Sequence, residues 1–268
     1  MVRVEQEEKR SMKVVILAGG WGTRLGQMAE VIPKPMVYIG NKPILWHIMK
    51  IYSHFGFNDF IIALGVRGEI IKEYFYNFEA LNNDFTVDLK TNEITYHNKH
   101  NETEWKVTLV DTGLNTLKGG RIKRIKKYLD NDVNMMTYGD GVANINVKAL
   151  LEFHNSHGKT ITVSGVRPSS LFGEFEEIDG QVVSFTEKAK SAKSFINGGF
   201  MVFRRELLDH LTEDEDCDFE FGPLEKLARQ GEVMVYKHDG DWESMDHERD
   251  VHYLNKLWKE NKAFWKVW

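Results

Sequence analysis

Near the amino terminus, five apolar residues from Val14 to Ala18 run without a break into Gly19, Gly20, Trp21, Gly22, Thr23 and Arg24. A short apolar run that empties into glycine reads as a β-strand buried on both faces, followed by a loop whose amides stay uncovered. Strands of that kind belong to parallel sheets covered by helices on both sides. The texture recurs in "DFIIALG", "KVTLVDTG", "NMMTYGDG" and "TITVSGV". Between several of these runs stand segments of helical period. In "KPILWHIMKIYSHFG", Ile44, Leu45, Ile48, Met49, Tyr52 and Phe55 share one face, and Gly56 supplies the stop. "EIIKEYFYNF" and "VKALLEFHNSHG" repeat the pattern.

This alternation predicts an α/β fold with a mostly parallel, Rossmann-like central sheet flanked by helices. After Val166 the pattern changes. "GEFEEIDGQVVSFTEK" alternates around an Asp-Gly turn and reads as a hairpin. There follow a strand in "NGGFMVF", a helix in "FGPLEKLARQG", a strand in "EVMVYKH" and a C-terminal helix through "ERDVHYLNKLWKEN". The second half is expected to add antiparallel strands over the substrate site. With only five prolines and no linker-like stretch, residues 12–268 read as a single domain, preceded by a polar extension, 1–11, expected to be disordered.

In sheets of this kind ligands bind beyond the carboxyl ends of the strands. Three strand runs end there in glycine-bearing turns with a polar residue: Gly19 to Arg24, Asp111 to Gly113, and Gly139-Asp140-Gly141. The first of these, with Lys34 in the following "PKP", can aim successive amides at an anion and neutralise it with Arg24 and Lys34. "GWGTRLG" is one residue too long for the dinucleotide fingerprint, and no Walker loop is present. The acidic surplus, 40 acidic against 35 basic residues, argues against nucleic acid or an anionic membrane as partner. One cysteine, Cys217, leaves no internal disulfide and suits a reducing, cytoplasmic setting.

Taken in order, "ILAGGWGTRL", "PKPMVYIGNKPILWHI", "YGDG", "EK", "INGGF" and "MDHERD" resemble the nucleotide-sugar pyrophosphorylases. "VTLVDTG", "GGRIKR" and the closing "AFWKVW" place the resemblance in their cytidylyltransferase branch, from about Met12 to Trp268. The resemblance implies that Leu17, Ala18, Gly19, Gly20, Trp21, Gly22, Thr23 and Arg24 wrap the nucleotide. It likewise implies that Lys34, Thr116, Arg121 and Gly139 contact the nucleotide, that Asp140 and Asp246 bind magnesium, and that Glu187, Lys188 and Asn197 hold the sugar phosphate. The reaction it implies joins CTP to glucose 1-phosphate, giving CDP-glucose and pyrophosphate, with Arg24, Lys34, Asp140 and Asp246 as the catalytic set. The same resemblance implies a homo-oligomer.

Base and sugar choice are open to the residues alone: another nucleoside triphosphate or another sugar 1-phosphate is compatible, as is a nucleotide-sugar-binding protein without turnover. Taken singly, Asp140 also reads as a turn residue and Asp246 as a helix N-cap. Lys123, Lys126 and Lys127 read as a solvated basic face, and Glu213 to Phe221 as an exposed acidic loop. The histidine pairs His97/His100 and His154/His157 lack the further ligands that zinc needs. Trp258, Trp265 and Trp268 read as core or subunit-contact residues.

Overall fold

The computed structural model describes residues 12–168, 174–178, 181–186 and 195–268. The extension 1–11 and the expected sugar-phosphate residues Glu187 and Lys188 lie outside them. Seven strands form the central sheet: β1 (Lys13–Ala18), β2 (Asp59–Leu64), β3 (Lys106–Asp111), β4 (Val133–Tyr138), β5 (Ile161–Val166), β6 (Ile196–Arg204) and β7 (Val233–His238). Their spatial order is β7-β5-β6-β4-β1-β2-β3. The pairs β1–β2, β1–β4, β2–β3 and β5–β7 are parallel, while β6 runs against both its neighbours. The mostly parallel α/β fold expected from the strand texture is therefore the observed one.

The side-chain alternation of β1 shows why a continuous apolar run was required. Val14, Ile16 and Ala18 join one core cluster, and Val15 and Leu17 join the other, so each face of the strand is buried under its own layer. The principal helices are α1 (Ile44–His54), α2 (Gly68–Tyr76), α3 (Lys118–Arg124), α4 (Val147–His157) and α5 (Glu248–Lys259). All five apolar α1 positions of the expected face, Ile44, Leu45, Ile48, Met49 and Tyr52, are buried. The C-terminal tail closes this layer. Trp265 is fully buried and its indole donates to His47 Nδ1 at 3.3 Å, while Trp268 meets the Trp46 ring edge-on at 5.7 Å.

Smaller antiparallel pairs complete the architecture: Glu174–Ile178 with Gln181–Thr186, the two strands of the expected hairpin, whose Asp-Gly residues lie outside the described ones, Phe85–Asp88 with Glu93–Tyr96, and Gly141–Ala143 with Trp242–Ser244. Three sequence expectations need correction. The helix read from Phe221 is α-helical only over Glu225–Arg229, because Gly222 takes φ of +106° and Pro223 has no amide to donate. The acidic segment 213–221 is not merely an exposed loop. Its carbonyls at Glu215 and Cys217 accept from Leu117 N and Gly120 N, and Phe219 is fully buried. Nor is the basic stretch simply solvated, since Lys123 donates to Leu208 O at 2.7 Å and Lys126 pairs with Glu213 at 2.6 Å.

Candidate active site

The strand order reverses at β1. From it the chain proceeds outward through β2 and β3 on one side, while β4 lies on the other. The loops that follow β1 and β4 therefore meet at a topological switch point, where α/β sheets hold their ligands. Gly139 N donates to Leu17 O at 3.1 Å across this point. A cavity of about 540 Å³ opens here. All eight residues from Leu17 to Arg24 line it, as do Lys34, Thr116, Arg121, Gly139, Asp140, Asn197 and Asp246.

Two glycines set the floor. Gly22 sits in the left-handed region at φ +65°, which lets Leu25 N close back on Gly22 O at 2.9 Å and curls the loop over the cavity. At Gly139 a Cβ would lie 2.9 Å from Pro35 Cγ and 3.0 Å from Leu17 O, so the 33–36 turn packs against bare backbone. That close approach carries Lys34 inward, where its side chain is 12 % exposed.

Residues 106 positions apart and more converge at Lys34. Its Nζ donates to Asp140 Oδ2 at 2.9 Å and to Asp246 Oδ1 at 2.7 Å. The pairing of Gly141–Ala143 with Trp242–Ser244 explains the convergence: Ser244 stands opposite Gly141, and Met245 N donates to Asp140 O at 2.8 Å. Asp246 is not the N-cap of α5. His247 holds that position, and the Asp250 carboxylate accepts from the amides of Asp246 and His247 at 3.0 and 2.7 Å. The Asp246 carboxylate is thereby left facing the cavity, with Ser244 Oγ donating to its second oxygen at 2.9 Å and Arg24 Nη1 to its first at 3.0 Å.

The electrostatics follow. Burial pulls the Lys34 ammonium toward neutrality, but Asp140 and Asp246 together outweigh it and hold its pKa above the usual lysine value. Burial likewise pushes the Asp246 carboxyl upward, and Lys34, Ser244 and Arg24 overcome this, keeping it below the ordinary carboxylate range. Both groups are charged at neutral pH. Arg24 is 69 % exposed, so its ion pair contributes little to stability and the side chain is free to swing toward a ligand.

Sequence reasoning missed part of the wall. Tyr138, Trp242, Ser244 and Lys118 also line the cavity. Asn197 Nδ2 donates to the Tyr138 hydroxyl at 3.0 Å, and that hydroxyl donates to Glu220 Oε1 at 2.6 Å. Burial and the Glu220 carboxylate raise the Tyr138 phenol far above its usual value and keep it protonated. Tyr138 stands inside the quoted "YGDG" and Trp242 and Ser244 just ahead of "MD", so proximity to a motif was the available signal. Thr116 and Arg121 line the cavity but are buried, and Arg121 is occupied with loop carbonyls. No helix among the described residues is long and apolar enough to cross a membrane.

The profile of the Nucleotidyl transferase family matches residues 13–264. The chain is 48% identical over 258 residues to the glucose-1-phosphate cytidylyltransferase of Salmonella typhimurium, covering 96% of this chain and 100% of that one. It is 44% identical over 257 residues to the probable glucose-1-phosphate cytidylyltransferase of Bacillus subtilis, with the same coverage. Among solved structures, a UDP-glucose pyrophosphorylase complexed with UDP-glucose superposes with a TM-score of 0.67 at 17% identity, over 93% of this chain and 99% of that one, which is a likeness of fold. The chain belongs to the nucleotidyl transferase family.

Proposed function

We propose that the protein transfers the cytidylyl group of CTP to glucose 1-phosphate, giving CDP-glucose and pyrophosphate. The observation that carries this reading is the joint grip of Asp140 and Asp246 on one ammonium at the floor of the glycine-loop cavity, in a chain so similar to glucose-1-phosphate cytidylyltransferases. Residues 12–268 are read as one nucleotidyltransferase domain working as a cytoplasmic homo-oligomer. The surface we assign to self-association is the hairpin Phe85–Asp88 and Glu93–Tyr96. Its cross-strand pairs Phe85–Tyr96 and Val87–Ile94 share one face, all four residues at least 40 % exposed, and Thr86, Asp88, Glu93 and Thr95 share the other. With Leu89, 86 % exposed at the turn, they leave five apolar side chains exposed on one small hairpin, and clustered exposed apolar side chains are what a partner surface covers. Such a hairpin is marginal alone, and its two strands pair only with each other among the described residues, so its edges and face suit an identical hairpin across a two-fold axis.

The attacking group is a phosphate monoester, dianionic above a second pKa of about 6, and so needs no general base. The barrier is electrostatic: one anion must approach another while a third leaves. Amides of Gly19 to Gly22 and the charges of Arg24 and Lys34 meet the triphosphate, and Arg24 turns from Asp246 toward the departing pyrophosphate. Asn197, tied to Tyr138, orients the sugar phosphate, together with Glu187 and Lys188.

Magnesium fits the site. Two carboxylates that already converge on one cation form a hard oxygen donor pair, and magnesium takes one or two carboxylates with phosphate and water completing its shell. Asp140 and Asp246 would hold it. When bound, it supplies neutralisation of the triphosphate and polarisation at the α-phosphorus. Lys34, between the same carboxylates, holds the Asp246 carboxyl below the ordinary carboxylate range.

The test is a pyrophosphate-release assay with magnesium, four nucleoside triphosphates and a panel of sugar 1-phosphates. CTP with glucose 1-phosphate is expected to turn over fastest, with CDP-glucose identified by mass. Faster release with another pair, or none with any, would contradict the reading.

A further inference from the structure

Glu220 belongs to the acidic segment 213–221, which docks on α3 through the Cys217 carbonyl and the amide of Gly120. The segment holds it in place locally: the Asp218 carboxylate accepts from the amides of Glu220 and Phe221 at 2.8 and 3.0 Å, and Phe219 is fully buried. Glu220 Oε1 accepts from the Tyr138 hydroxyl at 2.6 Å and also from Lys118 Nζ. Its Oε2 is buried without a hydrogen-bond partner among the described residues, so Oε1 alone receives both donors. An ammonium can only donate, which makes Oε1 an acceptor.

The phenol has one hydroxyl proton, and Glu220 receives it. The hydroxyl oxygen is left to accept, and it does so from Asn197 Nδ2 at 3.0 Å. The other end of the same amide is fixed independently, because Gly199 N donates to Asn197 Oδ1 at 2.9 Å. Gly199 takes φ of +87°, and a Cβ there would lie 2.8 Å from Tyr138 Cδ2, so the Tyr138 ring packs directly on the glycine. Asn197 Nδ2 carries two hydrogens. One goes to Tyr138, and among the described residues no other acceptor takes the second. Asn197 lines the cavity, whereas Glu220 does not.

We infer that Glu220 is a positioning residue for the sugar phosphate: through Tyr138 it fixes the sense of the Asn197 amide, so that Asn197 turns an N–H rather than a carbonyl oxygen to the cavity. The inference rests on the nucleotidyltransferase reading of the cavity and deepens it. A dianionic phosphate presents acceptors alone, so a donor facing it attracts and a carbonyl oxygen repels. A Tyr–Asn pair without the carboxylate has no fixed sense, since the hydroxyl proton can turn to the asparagine oxygen instead. The acidic segment thereby supplies polarity to a subsite that it does not line.

Three single variants and one double variant test this. Y138F removes the hydroxyl, E220L removes its acceptor, and E220Q keeps an amide oxygen in the place of Oε1. By NMR on the ligand-free protein, hydrogen exchange at the Gly199 amide is expected to quicken about tenfold or more in Y138F and E220L, with the amides of 201–203 unchanged. The KM for glucose 1-phosphate is expected to rise about tenfold in both, while kcat and the KM for CTP stay within about threefold. E220Q is expected to stay within about threefold of wild type throughout. Because both residues act through one relay, Y138F/E220L is expected to match the single variants at about tenfold rather than reach about a hundredfold. Unaltered Gly199 exchange in Y138F and E220L, an E220Q as impaired as E220L, an equal rise in the KM for CTP, or additive effects in the double variant would each overturn the inference. Failure of the wild-type protein to release pyrophosphate with any sugar 1-phosphate would sink the assigned reaction, and the Gly199 exchange rates would still decide whether the relay exists.

Discussion

Lys34 Nζ lies 2.7 Å from Asp246 Oδ1, across 212 residues of sequence, and both side chains are mostly buried. Nothing local to either residue produces that contact. It results from a proline-flanked turn packing on Gly139 and from a two-stranded pairing that returns the C-terminal region to the Asp140 turn. The ammonium thereby joins two carboxylates, from the β4 turn and the 242–246 segment, at the lining of the glycine-loop cavity.

Ser244 orients Asp246 through a 2.9 Å hydrogen bond to the oxygen that Lys34 does not contact. Groups that orient metal-binding carboxylates commonly affect metal affinity by 10- to 100-fold, so Ser244→Ala is expected to raise the magnesium concentration for half-maximal turnover by about tenfold. Turnover at saturating magnesium should change little. A magnesium titration of S244A that overlays the wild-type curve would contradict the assignment.

The pH dependence of stability has a defined source away from the site. His47 is fully buried, with Nε2 2.9 Å from Ile39 O and Nδ1 accepting from Trp265, and burial pulls its pKa from 6.5 down to about 4. His154 is also fully buried, and its pKa is lowered to about 4, again by burial first. A histidine depressed in the fold is neutral there but protonated in the unfolded chain, so its contribution is complete above pH 6.5 and is lost as the pH falls toward 4. Between pH 7 and 5 each should cost about 2 kcal/mol of unfolding free energy. In H47Q, which keeps a donor for Ile39 O, the difference between those two pH values should shrink by about that amount in denaturant titrations. An unchanged difference would show that His47 does not titrate as described.

Self-association is tested on the 85–96 hairpin. The wild-type chain is expected to elute with a mass above the 31.1 kDa of one copy. The double variant V87K/I94K, which places two cations on the apolar face, is expected to shift to a smaller species in light scattering without loss of helical signal. A wild-type monomer, or a variant of unchanged mass, would exclude this surface.

The sheet was legible because its strands are short apolar runs bounded by glycine, a pattern that records burial on both faces, as the split of β1 between two core clusters shows. The floor of the site was legible for a related reason: Gly22 and Gly139 are glycines for steric causes that persist in sequence. What stayed hidden depended on long-range register. Ser244 and Tyr138 acquire their roles only when Trp242–Ser244 pairs with Gly141–Ala143 and when Asn197 arrives on β6. The acidic segment 213–221 reads as solvent-exposed by composition, yet its backbone carbonyls dock on the amides of Leu117 and Gly120, and composition carries no record of backbone contacts. Arg121 could be placed at the site from motif alone, but its occupation by five loop oxygens could not.

The most direct measurement is the turnover of Asp140→Asn, compared with wild type in pyrophosphate release from CTP and glucose 1-phosphate at saturating magnesium. The substitution preserves shape and removes the charge that Asp140 brings to the cation site. Turnover is expected to fall by at least about 100-fold while the melting temperature stays within a few degrees. A folded D140N protein that still releases pyrophosphate at close to the wild-type rate would contradict the central claim, that Asp140 and Asp246 jointly hold the cation on which nucleotidyl transfer depends.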